Sequence, residues 1–447
     1  MGTRFRPYQP DQVLMLPPDL REWVAEGHLA HHVSDLVDAV DLSAFYAPYR
    51  GDGRRNSPYD PRMMVKVLIY AYATGTFSSR KTAKRLEEDV ALRMLAAGNF
   101  PKHRTLCEFR KRHLEDFRAV FAEVVVLAQA MGLAGLGRVS VDGTKVRANA
   151  SKRKAMSYGR MVKEEPRLEE EIEEIRAEIE ALVERAEATD EEEDERYGRK
   201  AGGDELPEEL KRREDRLAAI REAKARLEAE QRAADDARGR EPGQTRNPKG
   251  GRPYKREYGE PAEKAQSNFT DPESRIMKTS SEGFQQSYNA QMVVEGDNQL
   301  VVAVEVTDNA SDQGQLVAMV DAAQEVCGEA PAQVLADAGY GNEQDLRELE
   351  RREIDAYVAL SREGKTPAKA DPKNYPARAR MVAKLAGETG RRRYARRKWQ
   401  AEAPIGWIKE AMGFRRFSFR GLDKVRAEWT LVCLALNVKR LHTLQAA

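Results

Sequence analysis

Three acidic residues stand in surroundings that give a carboxylate chemical work to do. The stretch GRVSVDGTKVRANAS (137–151) runs an apolar alternation, Val139 and Val141, into Asp142 and a glycine, then turns basic at Lys145 and Arg147. AQVLADAGYG ends in the same way, with Asp337 followed closely by glycine. Side chains at strand ends leave the packed interior while the sheet still holds them rigidly. If the two strands are neighbours, Asp142 and Asp337 face each other at one sheet edge, and two carboxylates so placed repel unless a cation lies between them. Mg²⁺ suits that position, because it is hard, binds oxygen and is content with one or two carboxylates. A third acid comes from RRRYARRKWQAEAPIGWIKEAMGFRRF (391–417), where Lys398, Glu402, Ile405 and Lys409 follow at i, i+4, i+7 and i+11, one stripe of a helix. An acid with a cation on each adjacent turn fits a phosphodiester chain lying alongside and a metal bridging to it. Two such ions activate the attacking oxygen and stabilise the leaving one. Singly, each residue has a plainer reading: a strand-end Asp is also an ordinary turn residue, and a Glu between lysines is also a surface ion-pair partner.

The elements that must position these acids are legible in outline. Residues 1–132 read as helical. Asp60 caps a helix that opens at Pro61 and carries Met64, Val67, Leu68 and Ala71 at helical spacing. TGTFS (74–78) breaks the pattern, and Ser78 or Ser79 caps a second helix, RKTAKRLEEDVALRMLAAG. The pair resembles a helix-turn-helix. Its second member opens with Arg80, Lys81, Lys84 and Arg85, which suits phosphate contacts or, equally, a solvated basic face. A third helix is predicted over 105–131, with Leu106, Phe109, Leu114, Phe117, Val120 and Phe121 on its apolar side. Over 161–240, Leu168, Ile172, Ile175, Ile179 and Leu182 step by four and three, and Leu210, Leu217, Ile220 and Leu227 resume the rhythm after an interruption. That pattern predicts an antiparallel helical hairpin with solvated charged faces. The stretch around 241–267 is rich in Gly, Pro and cations and reads as a flexible linker. Beyond it the period changes. Strands at 288–296 and 299–307 flank a turn at Asp297-Asn298, followed by a helix at 312–327, the strand ending at Asp337, a helix at 342–352 and the strand DAYVAL. Two consecutive strands forming a hairpin predict a mixed α/β layer rather than a doubly wound parallel sheet.

Charge points the same way. The net charge is +1, but residues 161–240 hold 28 acids against 17 bases. Residues 361–447 hold 21 bases against 7 acids, so an acidic segment masks a basic protein. Clustered cations are the footprint of a polyanion partner. No apolar run is long enough for a membrane span, and the opening residues lack the apolar core of a leader. Cys107, Cys327 and Cys433 lie far apart without a C-x-x-C, which offers neither a disulfide framework nor a zinc knuckle and suits a reducing cytoplasm. His28, His31 and His32 cluster, but no third metal ligand accompanies the i, i+4 pair, so they read as structural or surface residues.

The run from RFRPYQPDQVLMLPPDLREWV through SVDGTK, DPESRIMK, ADAGYGNEQDL and EAPIGWIKEAMGFRRFSFRGLDKVRAEWTLVCLALN resembles bacterial insertion-sequence transposases of the DDE type. The resemblance implies a helical N-terminal DNA-binding domain (1–132) and a ribonuclease-H-like catalytic domain (133–160 and 268–447). The charged hairpin (161–240) is inserted, and the basic linker (241–267) follows it. It implies Asp142, Asp337 and Glu402 as catalytic and metal-binding acids, two Mg²⁺ or Mn²⁺ ions, cleavage at element ends, and transfer of the freed 3′-OH strand into target DNA. One related signature is Tyr, two residues, Arg, three residues, Glu, six residues, Lys. Glu402 and Lys409 keep its last spacing, and Lys398 stands where Arg would be. Tyr394 and Arg397 match each other but miss Glu402 by one residue. Phosphate contacts are expected from Lys398, Lys409, Arg397, Arg415, Arg416 and Lys145, with aromatic residues interleaved, and from Arg80, Lys81 and Lys84 of the helical domain. Phe414, Phe417 and Phe419 fit either that role or a core. DNA is the expected partner, with a homodimer or larger assembly to join two ends, in the cytoplasm and away from membranes. Two alternatives stay open: a nuclease of the same fold without strand transfer, and a catalytically inert DNA-binding derivative.

Overall fold

The computed structural model describes residues 19–49, 58–193, 205–246, 253–279, 283–361 and 370–445. The chain forms two compact units. One comprises residues 1–146, 289–419 and 423–447; the other comprises 147–288 and 420–422.

Eight strands are present among the described residues: β1 (Arg138–Arg147), β2 (Ala155–Ser157), β3 (Gln266–Asn268), β4 (Arg275–Thr279), β5 (Gly283–Glu295), β6 (Val301–Thr307), β7 (Gln333–Ala336) and β8 (Asp355–Val358). The main sheet runs β4-β5-β1-β7-β8, with β6 also on β5. Strand β5 is long enough to take β4 along Gly283–Ser287 and β6 along Asn289–Val294, both antiparallel. Two bonds set the sense of β1 against β5. The Gly296 amide donates to the Arg138 carbonyl at one end (2.9 Å) and the Ala148 amide to the Gln286 carbonyl at the other (2.8 Å), so the strands oppose. Strands β1, β7 and β8 run parallel. The sheet is therefore mixed, as the hairpin predicted. Val139, Val141, Val293, Val334 and Leu335 fill its centre without exposure. The last helix, Leu422–Gln445, is buried almost all round, and Asn437 exchanges two hydrogen bonds with the Val301 backbone at 2.8 and 2.7 Å. Cys433 is buried there, and all three cysteines are free thiols.

In the same unit, helix Pro61–Ala73 begins as expected, with the Asp60 carboxylate accepting from the Arg62 amide (2.7 Å) and, more weakly, the Met63 amide. The turn after it needs Gly75, whose φ is +76° and whose missing Cβ would lie 2.6 Å from the Met412 carbonyl oxygen. Two predicted helices are each broken. The second is Ser79–Glu88 followed by Val90–Leu95, because Asp89 takes an extended conformation and its carboxylate caps the Leu92 amide. The third is His103–Arg112 followed by Asp116–Ala130, and the fully buried His113, bonded to Asp116 at 2.5 Å, sits at the break. At Asp89 a local side-chain acceptor ends the helix although the apolar period continues; at His113 the tie is from ring to carboxylate.

The other unit holds two long helices, Tyr158–Glu193 and Glu205–Ala237. Met161, Leu168, Ile172, Leu217, Ile220 and Leu227 share one core. Arg176 pairs with Glu214 (2.8 Å) and Lys224 with Glu165 (2.7 Å), so later residues of one helix meet earlier residues of the other and the pair is antiparallel. The Leu182 side chain lies outside the described residues. The segment expected as a flexible linker is held in its described part. Arg240 stacks on Tyr254 at 4.1 Å and donates to the Arg256 carbonyl (2.6 Å), and the Gly259 amide donates to Asp235 (3.0 Å). No helix among the described residues is long and apolar enough to cross a membrane.

Candidate active site

Strand β1 does not stop at Asp142; it continues to Arg147. What stops is its pairing with β7, whose last partners are Val141 and Ala336. The next residue on each strand is the acid, so the parallel register sets Asp142 beside Asp337. Beyond Asp337 the chain turns through a 3₁₀ segment, Ala338–Tyr340, and the Asp337 carboxylate accepts from the Gly339 amide at 2.8 Å. Asp142 is buried and accepts from the Gly143 amide at 2.8 Å.

The glycines after these acids, Gly143 and Gly339, do not adopt a left-handed backbone. They leave room. A Cβ on Gly143 would lie 2.3 Å from Gln291 Nε2. A Cβ on Gly339 would lie 2.9 Å from Asp312 Oδ2 and 3.0 Å from Asp337 Oδ1.

The third acid lies on a helical run of unexpected pitch. After helix Glu388–Ala395, residues Lys398–Glu402 form a π turn, Ala403–Gly406 an α turn and Trp407–Ala411 a second π turn. A π turn closes on the fifth residue rather than the fourth, so the α-helical stripe through Lys398 does not hold. The residue that meets Glu402 is Arg397. Its Nη2 donates to Glu402 Oε1 at 3.1 Å and its Nη1 to Asp142 Oδ2 at 3.0 Å. Lys398 is exposed. The one-residue misfit of Tyr394 and Arg397 to the related signature falls on this wide turn, which takes up an extra residue. Gln400 ties the turn to the sheet: it accepts from the Ser140 hydroxyl (2.8 Å) and donates to the Gly296 carbonyl (2.9 Å), wholly buried.

Burial pushes the Asp142 carboxyl up to about 6; Asp337 and Glu402 add to the rise, while Arg397 and the Gly143 amide oppose it. Burial pulls the Lys409 ammonium down, and Arg415 adds to that. Among the described residues, no three His, Cys, Asp or Glu side chains are gathered as a ready metal cage. The expected meeting of three carboxylates at one point is realised differently: Asp142 adjoins Asp337 in register, and the Arg397 guanidinium spans Asp142 and Glu402. The donors are hard carboxylate oxygens, the type that Mg²⁺ and Mn²⁺ prefer.

Of the expected phosphate contacts, Lys409 lies beside the site, its Nζ 3.5 Å from the Lys145 carbonyl. Lys145 is paired with Asp312 (3.1 Å). Arg415 pairs with Glu410 (2.6 Å) and Arg416 is exposed. Arg80 and Lys81 are exposed, Lys84 pairs with Glu88 (3.5 Å), and Arg85 folds back onto Thr74, Thr76 and Asp89. Aromatic interleaving is not present at 413–420. Phe414 and Phe417 are core residues, with Phe414 packed on Phe77, Phe417 and Trp429, and Phe419 lies under Arg110. His28 caps its helix through Nδ1. Sequence reasoning missed Asp312, Gln291, Asn289 and Tyr340, which surround the acids. The available signal was the alternation of two amides, Asn289 and Gln291, running into the apolar Met292–Val294 of the same strand.

A family model described as a transposase DDE domain matches residues 259–438, a span that holds Asp337 and Glu402. A second, described as a transposase domain (DUF772), matches residues 18–112. Neither the characterised proteins nor the solved structures compared gave a match. With transposase models matching both its N-terminal helices and its second and third acids, the chain belongs to the DDE-type transposases of insertion sequences.

Proposed function

We propose that this transposase binds the ends of its element, cuts them by divalent-metal phosphodiester chemistry and transfers the freed 3′-OH strand into target DNA. The reading rests on one observation above all: the β1–β7 register brings Asp142 beside Asp337, and Arg397 links Asp142 to Glu402. The sheet order β6-β5-β1-β7-β8, antiparallel on one side of β1 and parallel on the other, supports a ribonuclease-H-like catalytic fold.

In this scheme Asp142, Asp337 and Glu402 hold two Mg²⁺ or Mn²⁺ ions. When bound, the ions supply activation of the attacking oxygen and stabilisation of the leaving one. Arg397 restrains Asp142 and Glu402 before DNA arrives, and its planar fork is matched to a phosphate, which Lys398 cannot copy. Lys409 is half-buried beside the acids, where its ammonium would face a bound phosphate across little water. Residues 1–132 contact DNA through exposed cations such as Arg80 and Lys81, and two copies join two ends. The test is incubation of the full-length protein with pre-cleaved ends, Mg²⁺ and a target plasmid. Joined products are expected. Cleavage of intact ends with no joining would leave the nuclease alternative, and binding with no cleavage in Mg²⁺ or Mn²⁺ would leave the inert one.

A further inference from the structure

A fourth carboxylate stands behind the second acid. Asp312 lies in the loop ahead of helix Leu316–Cys327. Three donors converge on its Oδ1: Asn289 Nδ2 at 2.7 Å, Gln291 Nε2 at 2.8 Å and Lys145 Nζ at 3.1 Å. Its Oδ2 turns toward the Asp337 turn, where it and Asp337 Oδ1 flank the spot that a Gly339 Cβ would fill. Gln291 extends the chain, because its Oε1 accepts from the Tyr340 hydroxyl. Every amide in the chain therefore has a fixed orientation: Tyr340 donates to Gln291, and Gln291 donates to Asp312.

This arrangement is built at a cost. Asn289, Gln291 and Tyr340 have no exposure, and Asn289 Oδ1 is buried without a hydrogen-bond partner. An apolar core would avoid such a burden, and buried polar networks impose a unique geometry when they are held this way. Both glycines that follow the acids give up a side chain to admit the network.

We propose that Asp312 is a positioning residue for a divalent-cation site at Asp337 and Asp142. It fixes the Asp337 turn through Gln291 and Tyr340 and adds negative charge behind the ligands, with Lys145 as the counter-charge that tempers it. The inference rests on the metal-dependent reading above. Carboxylates that orient a metal ligand from behind typically change metal affinity by about 10–100-fold when altered.

The test is Mn²⁺ binding to the full-length protein without DNA, followed by calorimetry, together with thermal unfolding of the metal-free protein. Asp312→Asn keeps the shape and an acceptor for the three donors but removes the charge. It is expected to weaken Mn²⁺ by about 10–100-fold with its unfolding midpoint near that of the parent. Lys145→Met leaves the Asp312 charge untempered and is expected to bind Mn²⁺ more tightly. It also keeps the test open if the Asn variant fails to fold. Parental Mn²⁺ affinity in Asp312→Asn, or unchanged or weaker affinity in Lys145→Met, would overturn the proposal. Asp142→Asn separates the two levels. If it loses Mn²⁺ while Asp312→Asn does not, only the role of Asp312 fails. If it binds Mn²⁺ as the parent does, the metal reading fails as well.

Discussion

At the scale of single residues, Arg397 decides what the acids can do before any cation is present. Carboxylates that share a site repel, and the guanidinium, with only 12% of its side chain exposed, spans the buried Asp142 and the exposed Glu402 at 3.0 and 3.1 Å. Removing it leaves Asp142 and Glu402 without their bridging cation and removes a bidentate phosphate donor. Arg397→Ala is expected to slow end cleavage by about 10²-fold or more, the size seen when one preorganised donor is lost. Arg397→Lys should recover little of that, because an ammonium is a point charge without the fork. Cleavage kinetics on a labelled end fragment measure both, and near-parental rates would remove Arg397 from the scheme. Asp142→Asn, Asp337→Asn and Glu402→Gln should each abolish cleavage while binding to end DNA persists in a gel-shift assay. Asp142 and Asp337 were legible because an apolar alternation ended in an acid on both strands. Arg397 was not assigned to Glu402, because the α-helical period selects Lys398 and nothing local announces a π turn. Asp312 was illegible for a different reason: its partners lie 167, 23 and 21 residues away in the chain, and no spacing rule reaches that far.

At the scale of elements, the site depends on close approach between strands and on buried polar ties to helices. Gly143 admits the Gln291 amide, so Gly143→Ala forces that network to shift and should destabilise the protein by about 1–3 kcal/mol, the usual range for overpacking. Thermal unfolding checks this, and an unchanged midpoint would show that Gln291 yields freely. On helix Leu422–Gln445, the wholly buried Glu428 accepts from the Ser418 and Phe419 amides at 2.8 and 3.2 Å and from the Ser418 hydroxyl. Burial raises its carboxyl and the charge of Arg110 opposes the rise. Arg110 in turn donates to Tyr72 and to the Phe77 carbonyl at 2.7 and 2.8 Å. Glu428→Ala strands Arg110 in the core and should cost about 3–5 kcal/mol. Denaturant unfolding reads it directly, and a loss below about 1 kcal/mol, the net worth of an ordinary hydrogen bond, would mean that Arg110 finds another partner. Element order and type were readable from periodicity, including the strand hairpin and the long charged helices. Helix ends were less so: Asp89 and the His113–Asp116 pair cut two apolar stripes that continue past them.

At the scale of the whole chain, near-neutral net charge conceals a division of labour: among the described residues, acids of 161–240 such as Glu165 and Glu214 form ion pairs across the helical pair, with Arg221 and Lys224 and with Arg176. The cations of 361–447 outnumber the acids there three to one. Affinity for end DNA should therefore fall steeply with salt. If 6–10 phosphates are neutralised, it falls by about 10³–10⁵-fold between 50 and 200 mM. A shallow dependence in a fluorescence titration would argue against a phosphate-led interface. The central claim is that Asp142, Asp337 and Glu402 grip cations together, and Fe²⁺ in place of Mg²⁺ tests it most directly. Bound to the full-length protein with its end DNA and supplied with ascorbate and peroxide, the iron cuts backbone within reach of its own ligands. The account expects cuts next to residues 142, 337 and 402, all suppressed by excess Mg²⁺. Cutting that spares any one of the three positions, or that Mg²⁺ does not compete away, would contradict it.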